Sequence, residues 1–106
     1  MRVEFLYFED CPSHEVALAR LKKALTSVGV DSKIEIIRVQ NDSQAQALSF
    51  PGSPTIRIDG QDIDPAGAGG PPSLTCRLYH KDDGSPTPLP SESLIGGAVR
   101  RVLQGE

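Results

Sequence analysis

Cys11 and Cys76 are the two cysteines of this 106-residue chain, and they carry its most reactive side-chain chemistry. Cys11 stands in Val3-Glu4-Phe5-Leu6-Tyr7-Phe8-Glu9-Asp10-Cys11-Pro12-Ser13-His14, where an apolar strand runs into the start of a helix. A helix N-terminus offers unpaired N–H groups and the positive end of the dipole, and both favour a thiolate over a thiol. Pro12 suits the first helical position, because its missing N–H costs nothing there and its φ is already helical. The spacing therefore predicts Cys11 at the N-cap, its sulfur facing the amides of Ser13 and His14. A protonated His14 would favour the thiolate further, whereas the charges of Glu9, Asp10 and Glu15 oppose it. Tyr7 reads as a core residue, and Glu9-Asp10 as a solvated strand end.

The elements that must hold these residues follow from hydrophobic periodicity. Residues 2–8 read as a mostly buried strand. Ala17, Leu21, Ala24, Leu25 and Val28 fall on one helical face, and Gly29 supplies the stop. Residues 33–39 form a β-branched run, expected to be a second strand covered on both faces. Asn41, Asp42 or Ser43 caps a short helix ending near Leu48. Ile56-Arg57-Ile58 alternates as a third strand, and Asp59-Gly60 signals a type I′ hairpin into residues 61–64. Residues 65–74 and 82–90 read as loops on composition, with residues 75–80 a further short strand. Ser91 caps a last helix whose apolar positions are Leu94, Ile95, Ala98, Val99, Val102 and Leu103, and Gly105 ends it.

This order decides whether the two cysteines can meet. If residues 61–64 are the fourth strand, the chain returns toward the Cys11 end and the Gly/Pro-rich loop can bring Cys76 close. If residues 75–80 are the fourth strand, Cys76 lies at the opposite end of the sheet. A disulfide needs Cα atoms within about 7 Å. The short Asp59-Gly60 turn favours the first layout.

Bulk composition narrows the classes. The length suits a single domain spanning 1–106. Hydrophobic residues make up 38% and charged residues 24%, as in globular proteins, while aromatics reach only 5%, so the core is aliphatic. A net charge of −3 argues against a basic nucleic-acid groove. Charges interrupt Met1-Arg2-Val3-Glu4, which reads as a first strand and not as a signal peptide or membrane span. The expected setting is cytoplasmic, with no membrane partner, and structural disulfides are rare there.

These residues resemble the thioredoxin-like superfamily, in particular small glutaredoxin-sized bacterial members. The resemblance rests on the strand–Cys11-Pro12–helix junction, on Gly52-Ser53-Pro54-Thr55 leading into a strand, and on the Asp59-Gly60 turn. A later Cys-Arg-x-Tyr segment, here Cys76-Arg77-Leu78-Tyr79, is similar to one in small bacterial thioredoxin-like proteins. The resemblance spans residues 1–64 and the C-terminal helix; residues 65–90 exceed what the minimal fold requires. It implies an α/β thioredoxin-like fold of order βαβ-α-ββ-α, a four-stranded mixed sheet flanked by helices. It also implies a cis peptide before Pro54, next to the reactive cysteine. The backbone of Ser53 would then offer an edge to an extended substrate, with Pro12, Pro54 and Thr55 completing the substrate-binding positions.

One departure from the family pattern is decisive: Cys-x-x-Cys has become Cys11-x-x-His14. His14 cannot resolve a mixed disulfide, so Cys76 becomes the candidate resolving thiol. The expected function is thiol–disulfide exchange with Cys11 as nucleophile; His14 reads as a solvent-facing residue of the first turn, with tuning of Cys11 as its alternative role. The partner would be a protein disulfide or a low-molecular-weight thiol, and no cofactor is expected. The alternative is a non-catalytic module binding a peptide, a soft metal ion or a small ligand beside Pro54. A third reading is an interaction protein that dimerises through an exposed edge strand. Cys11-x2-His14 and Cys76-x3-His80 have zinc-like local spacings. Residues 76 and 80 of an extended strand would lie about 13 Å apart, however, which excludes a shared ion unless that segment turns.

Overall fold

Alternating apolar side chains build the sheet around the first strand. In the computed structural model, which describes residues 1–81 and 83–104, β1 (Val3–Tyr7) pairs in parallel with β2 (Ile34–Arg38). On its other side β1 pairs antiparallel with β3 (Thr55–Ile58), which turns back into β4 (Gln61–Asp62). The result is a four-stranded mixed sheet of order β2-β1-β3-β4. Among the described residues three α-helices accompany it: α1 (His14–Ser27), α2 (Asp42–Ala47) and α3 (Glu92–Leu103).

Strand register sorts the core into two layers. Val3 lies opposite Ile58 and Phe5 opposite Ile56. All four pack with Leu21, Leu25, Ile95 and Val99 from α1 and α3. Leu6 points the other way and joins Val39, Ala45 and Phe50 beside α2. Each fully buried side chain of this size contributes about 1.5–3 kcal/mol. The Asp59-Gly60 turn has both φ angles positive, at 50° and 81°, as a type I′ hairpin requires. Asn41 caps α2 by accepting from the Gln44 N–H at 2.9 Å, and Ser91 caps α3 through Leu94 N–H at 3.0 Å. Gly29 follows α1 with a positive φ of 75°.

Three local expectations are corrected. The β-branched run at β2 is not covered on both faces; β2 is an edge strand, and Ile36 is 52% exposed. Its Ile residues fit the ladder with β1, while only Ile34 and Ile37 reach the two core clusters. The start of α1 is also later than the Cys11-Pro12 spacing suggests. Cys11 N–H bonds Phe8 C=O at 3.0 Å in a turn, and the first main-chain bond of the helix runs from Ala17 N–H to Ser13 C=O. Ser13, not Cys11, is the cap residue, and Pro12 lies before the helix.

The third correction concerns residues 75–90. The described residues there differ from one short strand over 75–80 followed by a loop. Cys76 makes an isolated parallel bridge with Ser53, and β5 (Tyr79–His80) pairs with β6 (Pro86–Thr87) in a separate hairpin. Pro86 has no N–H to give a ladder, which suits a strand with no further neighbour. The expected end of α3 at Gly105 falls outside the described residues. Among those described, no helix is long and apolar enough to cross a membrane.

Candidate functional site

Cys11 and Cys76 are joined as a disulfide, with Cα atoms 5.7 Å apart across a sequence separation of 65. Of the two layouts left open by the sequence, the first holds: β4 is the outer strand of the sheet, and the following segment returns to the Cys11 end. Ser53 ties the pieces together. Its N–H donates to Thr75 C=O and its C=O accepts from Arg77 N–H, both at 2.8 Å, so its main chain brackets Cys76. Its hydroxyl accepts from Phe8 N–H at 2.9 Å, just ahead of Cys11. One serine thus fixes the segments on both sides of the disulfide.

Arg77 anchors the same segment from below. Only 3% exposed, its guanidinium donates to both Asp62 carboxylate oxygens at 2.7 Å and to Asp64 C=O at 2.9 Å. It also reaches Thr55 Oγ1 at 3.3 Å and lies 4.7 Å from the centroid of the Tyr79 ring. Among the described residues, its Nε is buried without a hydrogen-bond partner. Burial works against the guanidinium charge, but the Asp62 hydrogen bonds, with the charges of Tyr79, Asp62 and Asp64, outweigh it and raise the pKa. The Tyr79 hydroxyl donates to Pro54 C=O at 2.6 Å. Burial pushes that phenol well above its ordinary range; Arg77 opposes the shift, and Asp62 and Asp64 add to it. Gly52 makes the approach possible, since a Cβ there would sit 3.0 Å from Arg77 Cα, and its φ is +137°.

The two cysteines differ in access. Cys11 is 2% exposed, whereas Cys76 is exposed. The polar groups near the Cys11 sulfur also differ from the expected amides. Ser13 Oγ lies 3.3 Å from it and Ser53 C=O 3.6 Å. The hydroxyl can donate to a thiolate; the carbonyl can only accept from a thiol, and it already receives Arg77 N–H. Glu9, whose charge would disfavour a thiolate, forms an ion pair with Arg38. His14 packs its ring on Tyr7, with centroids 4.7 Å apart.

The expected substrate-binding positions are placed differently from one another. Pro12 is exposed, but Ser53, Pro54 and Thr55 are buried. The Ser53–Pro54 peptide is cis. The Ser53 edge expected to receive an extended substrate is instead occupied by Thr75–Arg77 of the same chain. Thr55 Oγ1 donates to Gly52 C=O at 2.7 Å and accepts from Arg77, so it serves the fold at this point. Sequence reasoning did not assign Arg77, Asp62 and Tyr79 to the site, and it placed the amide of Ser13 there but not its hydroxyl. The signal for Arg77 and Tyr79 was the Cys76-Arg77-Leu78-Tyr79 segment itself. Comparison with family models, curated proteins and solved structures gives no significant match to this chain.

Proposed function

We propose that this is a thiol–disulfide exchange protein with a thioredoxin-like fold, in which Cys11 and Cys76 form a reversible redox couple. The observation that carries this reading is the Cys11–Cys76 disulfide, with one cysteine exposed and the other buried. A sulfur in the turn between β1 and α1, with a hydroxyl in reach, suits a cysteine that cycles between disulfide and thiolate. The strand–cysteine–helix order and the β3–β4 hairpin support the thioredoxin-like reading. Partners of this couple are low-molecular-weight thiols or protein disulfides, in the cytoplasmic setting expected from the sequence. A binding module beside Pro54 has less support, because Ser53, Pro54 and Thr55 are buried and the Ser53 edge is filled.

Intact-mass analysis of the protein equilibrated in glutathione redox buffers tests the reading. A reversible two-hydrogen change linking Cys11 to Cys76, lost in Cys11→Ser and in Cys76→Ser, is expected. Thiols that stay free in every buffer, or a disulfide that no buffer opens, would remove it.

A further inference from the structure

We infer that partner thiols exchange first with Cys76, and that Cys11 is the internal thiol that leaves and later resolves. The inference rests on the redox reading above and reverses the roles suggested by the family resemblance. Thiol–disulfide exchange is an in-line displacement at sulfur, so the attacked sulfur must be open on the side away from its partner. Cys11 is 2% exposed and closed in by Ser13, Ser53 and the turn from Phe8. Cys76 is exposed, between exposed Thr75 and a Leu78 that is 56% exposed two residues on.

The chemistry balances with a small thiol as the reductant. A thiolate RS⁻ attacks Cys76 Sγ; the Cys76–Cys11 bond breaks, and Cys11 departs with the electron pair. The Ser13 hydroxyl, 3.3 Å from that sulfur, can donate to the departing thiolate. A second RS⁻ then attacks the outer sulfur of the mixed disulfide, giving RSSR and the Cys76 thiolate, which takes a proton from water. Two thiols are oxidised and one protein disulfide is reduced. In the opposite direction, the Cys76 thiolate attacks RSSR and releases one RS⁻. The Cys11 thiolate then attacks Cys76 Sγ, restoring the disulfide and expelling the second RS⁻. Cys76 stays beside Cys11 between the steps because its neighbour Arg77 is held by Asp62 and its main chain is bracketed by Ser53.

Oxidised protein treated briefly with limiting glutathione, quenched in acid, alkylated and mapped by peptide mass separates the possibilities. Glutathione on Cys76 together with an alkyl group on Cys11 is the expected result. Glutathione on Cys11 with Cys76 alkylated would overturn the inference while leaving the redox couple intact. A disulfide that even excess glutathione leaves closed would overturn both. The single-cysteine proteins give a second measurement. Cys76→Ser should react with oxidised glutathione about tenfold more slowly than Cys11→Ser, as access to sulfur demands. Equal rates, or faster reaction at Cys11, would also count against the inference.

Discussion

Arg77 and Asp62, 15 residues apart in sequence, meet through two hydrogen bonds of 2.7 Å, one residue from the disulfide. Both side chains are nearly shut off from solvent, at 2% and 8% exposure. A planar guanidinium matched to both oxygens of a carboxylate is the strong form of such a pair. It makes the path of Cys76 a consequence of the β3–β4 hairpin, since Asp62 lies on β4.

Breaking this pair from one side leaves a buried charge without compensation. Arg77→Met is expected to lower unfolding stability by about 3–5 kcal/mol in denaturant titrations. Arg77→Met combined with Asp62→Leu should recover much of that loss, because neither charge then remains buried alone. Both proteins should also form the Cys11–Cys76 disulfide less readily against glutathione than the wild type does.

Gly52 is required by space and by backbone together. Gly52→Ala adds a Cβ 3.0 Å from Arg77 Cα at a φ of +137°, so we expect a loss of about 1–3 kcal/mol. Thermal unfolding measures the loss. The same substitution should weaken the Ser53 bracket around Cys76 and slow re-formation of the disulfide after reduction.

Tyr79 gives the fold a dependence on alkaline pH. Its pKa is raised in the fold, chiefly by burial, so the neutral phenol is the form that the folded protein prefers. The associated stability is complete below the unfolded value of about 10 and declines as pH climbs above it. Unfolding midpoints measured from pH 8 to 11.5 should therefore fall beyond about pH 10. Tyr79→Phe should flatten that decline and cost about 1 kcal/mol at neutral pH, through loss of the hydrogen bond to Pro54 C=O.

Ser13 tests the environment of the buried sulfur. Ser13→Ala removes the hydroxyl nearest to Cys11 Sγ, and with it a donor to the thiolate. Stopped-flow reduction by glutathione should be several-fold slower in this variant (on the order of one hydrogen bond to a charged group). Ser91→Ala, which removes the α3 cap far along the chain, should cost about 1 kcal/mol of stability without changing that rate.

The sheet was legible because its signals are local. Val3, Phe5, Ile56 and Ile58 alternate, Asp59-Gly60 carries the turn, and Asn41 and Ser91 are strong caps. Proximity of the cysteines depended on a long-range choice, which the short hairpin favoured and the structure bears out. What local pattern could not supply is the partnering of Arg77. Residues 75–80 read as a short strand, and nothing local to Arg77 names its partners; only the hairpin brings Asp62 and Asp64 to it. The start of α1 differs from what the Cys11-Pro12 spacing predicts because Cys11 N–H closes a turn onto Phe8 C=O, which leaves Ser13 as the cap residue. The exposed side of β2 escaped notice because a β-branched run describes how a strand pairs, not how much covers it.

Equilibrium of the Cys11–Cys76 pair against glutathione buffers of defined ratio bears most directly on the proposed couple. A working exchange protein should give a midpoint potential above about −300 mV, within reach of the glutathione pool. A midpoint below that value would mark the disulfide as a permanent staple and contradict the redox account.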